Sequence, residues 1–254
     1  MLKNFNPDQT VQQIVGFLQT ILTQAHKKNG VIAVSGGIDS ALSLKLLVQA
    51  IGQENVYPLF LPYGNQTMDD AQLIVEQLKV PKNNCQTVNI QPVVEKIITE
   101  LSNNPNKNRL GNIMARVRMI LLYDQAAIVD GLVCGTENKS EKYLGYFTRF
   151  GDEASDLEPL QHLYKTQVRK LAEYLQLPAV FLEKPPSAGL WPNQTDELEL
   201  GFSYEQADLV LEQLIDQKIA ANKIQLANVE SSVVEKIINR VRTQAFKRQV
   251  PYHL

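Results

Sequence analysis

Val31-Ile32-Ala33-Val34-Ser35-Gly36-Gly37-Ile38-Asp39-Ser40 decides how the rest of the chain is read. Val31 to Val34 is a short apolar run rich in β-branched residues, as in a buried strand. Ser35-Gly36-Gly37 breaks it, and from Asp39 the residues Ala41-Leu42-Ser43-Leu44-Lys45-Leu46-Leu47-Val48 predict a helix reaching about Ala50. Paired glycines let backbone N–H groups approach an anion with no Cβ in the way. Ser35 and Ser40 add hydroxyl donors, and a helix N-terminus favours negative charge. The turn therefore suits phosphate or pyrophosphate. It lacks the Gly-Lys-Ser/Thr ending of a Walker loop and is not the dinucleotide G-x-G-x-x-G. Asp39 is the odd member, because a carboxylate repels a phosphate unless a cation lies between them. Mg²⁺ held by carboxylate and phosphate oxygens reconciles the two; a helix N-cap is the structural alternative.

Outward from this turn, strand-like and helix-like segments alternate. Asn6 caps a helix with Pro7 at its first position, and Val11, Ile14, Val15, Leu18, Ile21 and Leu22 recur at helical spacing over 8–27 until Asn29-Gly30 ends it. Strands are predicted over 55–61, 85–90 and 131–135, and helices over 68–78 and 92–101. Ser102 to Asn108 reads as a loop and Asn112 to Asp130 as a long helix with apolar residues on nearly every face. Such alternation argues a parallel, doubly wound α/β sheet with helices on both faces, which binds ligands past the carboxyl ends of its strands.

The chain has 254 residues, enough for one α/β domain over 1–254, with 44% hydrophobic and 20% charged residues. A net charge of −2 gives no sign of a nucleic-acid partner. Cys85 and Cys134 each lie in or beside an apolar run and read as buried thiols; two Cys and three His at this spacing build no metal cluster. With no run of about 18 apolar residues and no signal-like start, a cytoplasmic protein without membrane contact is expected.

Further stretches mix charge, glycine and aromatic residues. Thr136-Glu137-Asn138-Lys139-Ser140-Glu141 follows the fourth predicted strand and also suits a capped helix start. Leu144 to Asp156 has little period and reads as a binding loop. Lys165 stands at the start of a helix over 166–175, where a cation opposes the helix dipole and so suggests an anionic partner. Lys184 to Glu197 is a long loop carrying the Trp191 side chain and a Pro-Pro-Ser run.

The Ser-Gly-Gly-x-Asp-Ser turn resembles the pyrophosphate loop of the N-type ATP pyrophosphatases, whose adenine-nucleotide-hydrolase fold is Rossmann-like. Asn112-x-x-Ala115-Arg116-x-Arg118-Met119, Gly135-Thr136 with Glu141, Gly145-Tyr146-Phe147-Thr148, Gly151-Asp152 with Asp156, Leu163-Tyr164-Lys165-Thr166 and Lys184 to Trp191 together resemble NAD synthetases, in that family's order and spacing. The resemblance covers about 31–204, with a weaker match at Lys247-Arg248. It implies a ligase that adenylates the nicotinate carboxylate of deamido-NAD with ATP, releases pyrophosphate, and lets ammonia displace AMP.

Carried over by position, Ala33, Val34, Ser35, Gly36, Gly37, Ile38, Asp39 and Ser40 hold ATP, joined by Thr136, Lys165 and Ser187. Asp39 and Glu141 bind Mg²⁺, and Arg116, Arg149, Asp156, Phe246 and Lys247 face deamido-NAD. No covalent nucleophile is needed. Two positions depart from the family: Arg149 stands where Lys is common, and Phe246 where His is common, so a hydrogen bond is lost there. Some relatives carry an N-terminal glutaminase domain with a catalytic cysteine; the residues ahead of the loop contain no Cys, so free ammonia is the expected donor. The resemblance also implies a homodimer, to which the apolar residues Ile113, Val117, Ile120, Leu121 and Ile128 lend a reason; burial under the N-terminal helix is the rival. Other readings are a different ATP-pyrophosphatase amidotransferase, a tRNA-modifying adenylating enzyme, and a non-catalytic nucleotide sensor. The last would have no use for the acidic pair.

Overall fold

The computed structural model describes residues 5–101, 105–187, 189, 191 and 194–252. Part of the expected 102–108 loop, and Ala188, Leu190 and Pro192 of the long loop, lie outside the described residues.

Four parallel strands, β1 (Asn29–Ala33), β2 (Val56–Phe60), β3 (Gln86–Thr87) and β4 (Gly131–Val133), lie in the order β3-β2-β1-β4. Winding runs outward from β1 to β3 and then returns to place β4 on β1's other side. The strand order reverses between β1 and β4, and that crevice is where ligands bind in such sheets. The glycine turn leaves the end of β1 and Gly135-Thr136 leaves the end of β4.

Successive β1 residues serve opposite faces, as the two-residue period requires. Ile32 joins the core formed with α1 (Pro7–Gln24), α2 (Ile38–Ile51), α3 (Asp69–Gln77), and later α7 (Lys165–Tyr174) and α8 (Ala179–Glu183). Val31 joins the core under α4 (Gln91–Glu100) and α5 (Lys107–Ile128). A further apolar cluster unites α6 (Lys139–Leu144), α9 (Asp196–Leu200), α10 (Tyr204–Leu211) and α11 (Ser231–Thr243) beside the sheet's ligand end.

Asn6 caps α1 as expected, accepting from the Gln9 amide at 3.2 Å. Three boundaries differ from the sequence reading. Asn29-Gly30 opens β1 instead of closing α1, which already ends at Gln24. The third strand shrinks from 85–90 to two residues. Leu59 turns its carbonyl to the Val34 amide on the β1 side, so Pro58 faces β3, where it has no N–H to offer, and pairing starts only at Leu59 and Phe60; past Thr87 the Val88 and Ile90 amides still donate to the Phe60 and Pro62 carbonyls, each at 2.9 Å. The long helix begins at Lys107, inside the expected loop, because Asn106 caps it by accepting from the Arg109 amide.

That helix is less covered than its composition suggests. Val117 is buried, but Ile120 is 58% and Ile128 70% exposed. The rival cover is excluded, since α1 packs on α2 and α7 across the sheet.

Candidate active site

The glycine turn is held open by its own hydroxyls. Ser35 Oγ lies 3.1 Å from Ser40 Oγ, which donates to the Gly37 carbonyl at 2.9 Å. Gly36 has φ +82°, and a Cβ there would come within 3.2 Å of Asp70 Cβ, so only glycine fits without strain. The Gly37 amide at the head of α2 donates only to Ser35 Oγ, at 3.3 Å.

Asp39, in the first turn of α2, does not cap that helix. Its carboxylate accepts from Asn138 Nδ2 at 2.9 Å and from Lys165 Nζ at 2.5 Å. Lys165 Nζ also donates to Glu141 Oε1 at 3.0 Å. Glu141 caps α6 as well, in a reciprocal box with Asn138. The capped helix start read in the 136–141 stretch is thus present, and its capping Glu141 is the residue that meets Lys165.

Lys165 is 2% exposed and lies 5.3 Å from the centre of the Tyr204 ring. Burial works against its charge, but Asp39, Glu141 and Asp196 outweigh that and hold its pKa above the usual lysine value. Burial pushes Glu141 up to about 8, with Lys165 opposing. The dipole conflict at the head of α7 is settled by a residue that sequence reasoning missed. Asp208 of α10 accepts from the Thr166 amide at 2.9 Å and from Ser140 Oγ, which itself accepts from the Lys165 amide at 2.8 Å.

Asp196 was missed too. It is buried, accepts from Tyr204 Oη at 3.0 Å, and leaves Oδ1 without a partner. Its amide donates to the Pro186 carbonyl at 2.9 Å, tying the Lys184–Ser187 segment to the acidic cluster. Acidic residues closing a long functional loop were the available signal.

Among the described residues no three His, Cys, Asp or Glu side chains meet at metal-ligand geometry. What meets is two carboxylates around one ammonium. An all-oxygen set converging on a single cation, with an orphaned Asp196 oxygen nearby, has the donor chemistry of Mg²⁺.

A second group gathers around the 145–150 loop. Arg116 donates to the Arg149 carbonyl at 3.1 Å. The Arg149 guanidinium lies 5.7 Å from the Phe246 ring, so the position that lost a hydrogen bond supplies a cation–π face. Lys247 Nζ donates to the Gly145 and Phe147 carbonyls, each at 2.7 Å. Asp156 contacts β4 and α5 instead, accepting from the Val133 amide at 2.8 Å and from Tyr123 Oη at 3.5 Å. Thr136 is half-buried in the turn after β4, and Ser187 is exposed, its Oγ accepting from the Gly189 amide at 3.0 Å.

A glycine turn and an acid–lysine cluster at the switch point of a parallel sheet define an α/β enzyme acting on phosphorylated nucleotides. The family model described as NAD synthase matches residues 10–251, and the chain belongs to that family. Membership makes it a ligase forming a carbon–nitrogen bond in NAD biosynthesis.

It is 43% identical over 243 residues to the NH(3)-dependent NAD(+) synthetase of Thermococcus kodakarensis, covering 95% of this chain and 94% of that one. Among solved structures, it superposes with TM-score 0.86 and 34% identity on an NMN synthetase from Francisella tularensis, covering 99% of both chains. An NH3-dependent NAD synthetase from Campylobacter jejuni gives TM-score 0.83 and 31% identity over 99% of this chain and 100% of that one. No helix among the described residues is long and apolar enough to cross a membrane.

Proposed function

We propose that the chain converts deamido-NAD to NAD with ATP and free ammonia, through an adenylated nicotinate carboxylate, releasing pyrophosphate and AMP. The observation carrying this reading is the convergence of Asp39 and Glu141 on Lys165 beside the glycine turn. Ala33 to Ser40 cradle the phosphates with backbone N–H groups, with Thr136 and Ser187 as further hydroxyl contacts. Lys165 moves from the carboxylates to the triphosphate, where its charge stabilises the departing pyrophosphate. Asp39 and Glu141 would hold Mg²⁺, which would supply neutralisation of the phosphate charge. Arg116, Arg149, Phe246 and Lys247, with Asp156 approaching from the β4 and α5 side, fix the nicotinate-bearing substrate, so that the carboxylate is aligned on the α-phosphate.

The chain works as a homodimer in the cytoplasm. Free thiols at Cys85 and Cys134 suit a reducing compartment, and the uncovered Ile120 and Ile128 suit a twofold partner.

Likeness to an NMN synthetase favours a second reading, in which nicotinate mononucleotide is the substrate. Purified protein supplied with ATP, Mg²⁺, ammonium chloride and equal amounts of both nicotinate nucleotides separates them. A higher kcat/KM for deamido-NAD is expected. Preference for the mononucleotide selects the second reading, and amidation of neither contradicts both.

A further inference from the structure

Two helix heads carry the charged cluster: α6 begins at Lys139 and brings Glu141, and α7 begins at Lys165. They are laced residue by residue. The Lys139 amide donates to the Leu163 carbonyl at 2.8 Å, Ser140 Oγ accepts from the Lys165 amide at 2.8 Å, and Lys165 Nζ reaches Glu141 Oε1. The buried end of this lacing is closed by Asp208. Its outer end is closed by a residue that the mechanism above does not use. Asp216 Oδ1 lies 2.5 Å from Lys139 Nζ, and its Oδ2 accepts from Tyr164 Oη at 3.0 Å. The Lys139 ammonium lies 4.5 Å from the centre of the Tyr164 ring, so the three side chains meet pairwise.

Tyr164 is 2% exposed, and a buried tyrosine hydroxyl needs a partner. Among the described residues Asp216 is the one it has. An isolated surface ion pair is worth little, but Asp216 belongs to a network that grips the residue next to Lys165. Asp208 and Asp216 come from one helical stretch, eight positions apart. In an unbroken α-helix that spacing is a little over two turns and would leave the side chains about 80° apart. Past α10 the helix widens into a π turn, Glu212–Asp216, where the Gln217 amide donates to the Glu212 carbonyl, five positions back, at 3.0 Å. The wider turn takes up the excess and swings Asp216 towards the face of Asp208. Each carboxylate then bridges α6 to the start of α7.

We propose that Asp216 is a positioning residue for the adenylation step: through Tyr164 it fixes the backbone at Lys165, so that the lysine ammonium can leave Asp39 and Glu141 and meet the triphosphate in register. The inference rests on the role given to Lys165 above. A side chain that changes partners during a reaction needs a fixed anchor, because each new partner must be met at hydrogen-bond distance. Asp208 holds the Thr166 amide and Asp216 holds the Tyr164 hydroxyl. Lys165 is therefore pinned from both neighbours while its long side chain keeps its rotations. Lys139, whose amide binds the Leu163 carbonyl, carries the same restraint to α6 and Glu141. Misplacing a reacting group by about 1 Å costs up to roughly 10²-fold in rate, so an anchor outside the site has a measurable effect inside it.

The test follows pyrophosphate release in a single turnover with ATP, Mg²⁺ and deamido-NAD, ammonium omitted, in wild type, Asp216→Ala, Tyr164→Phe and Lys165→Met. Asp216→Ala should lower the rate constant roughly 10-fold with the half-saturating ATP concentration unchanged, as when an interaction made only in the transition state is weakened. Tyr164→Phe should reproduce that loss. Asp216→Asn, which still accepts from Tyr164 but lacks the charge facing Lys139, should fall between. In the Lys165→Met background Asp216→Ala should cost less than about twofold, because the group it positions is gone. A merely structural role would carry the same loss into both backgrounds. A wild-type rate in Asp216→Ala or Tyr164→Phe overturns the proposal, as does an undiminished loss on top of Lys165→Met. Failure of the wild type itself to release pyrophosphate strikes the underlying reading instead.

Discussion

The ammonium of Lys165 stands 3.0 Å from the Glu141 carboxylate and 2.5 Å from that of Asp39. One buried cation thus faces three acidic groups, Asp196 included. Removing one partner of a buried ion pair leaves uncompensated charge and costs about 3–5 kcal/mol. Lys165→Met is therefore expected to melt well below wild type in chelator, and to regain part of the loss in millimolar Mg²⁺ as the divalent ion takes the ammonium's place. Thermal melts with and without Mg²⁺ check this, and a melting point that ignores the metal contradicts the shared cation position. Turnover of this variant should fall at least about 10²-fold, since the lysine acts on developing phosphate charge.

Glu137 predicts a pH dependence of stability. Its carboxyl rises from the ordinary 4.5 to about 7 on folding, mainly through burial. Between those values the native state keeps a proton that the unfolded chain releases. Stability then falls as pH rises through that window, by roughly 3 kcal/mol from this group at most. Glu137→Gln lacks the titration. Urea unfolding in ammonium-free buffer should show the variant gaining on wild type between pH 5 and pH 8; parallel profiles contradict the shift.

Two glycines should respond oppositely to alanine. At Gly135 the new Cβ would meet Glu158 Oε1 at 1.9 Å and Ser155 Cβ at 2.8 Å, so Gly135→Ala is expected to destabilise by about 1–3 kcal/mol. At Gly16, inside α1, nothing lies within 4 Å, and Gly16→Ala should stabilise by up to about 1 kcal/mol through helix propensity. Differential scanning calorimetry of the pair decides.

What sequence alone reveals here follows how local the physics is. Asn6, the Ser35–Ser40 turn and the Asn138–Glu141 box act within a few residues, and each is legible as a pattern of spacing. The resemblance named Arg116, Arg149 and Lys247, and the structure brings them together around the 145–150 loop. Pro58 trims the start of the third strand, at Cys85, because only the sheet decides which neighbour faces its missing N–H. Asp208 was illegible because its partners come from distant elements. Asp208 lies inside α10 and reads as a helix residue, yet it serves the head of α7, 42 positions away in the chain. Glu137 looks like a solvated acid until the fold buries it and sets the half-buried Glu158 on its amide.

The exposed edge of α5 predicts the assembly. Light scattering at low micromolar concentration should return twice the 28.6 kDa chain mass, and Ile120→Glu with Ile128→Glu should shift it towards one chain. An active preparation of single-chain mass excludes the dimer.

Adenylation of the nicotinate carboxylate is the central claim, and isotope transfer tests it most directly. Deamido-NAD labelled with ¹⁸O in that carboxylate is turned over with ATP, Mg²⁺ and ammonium chloride, and the products are read by mass spectrometry. The account predicts one ¹⁸O in the phosphate of AMP and none in pyrophosphate. Label in inorganic phosphate, with ADP as the nucleotide product, would mean attack at the γ-phosphate and would contradict the account.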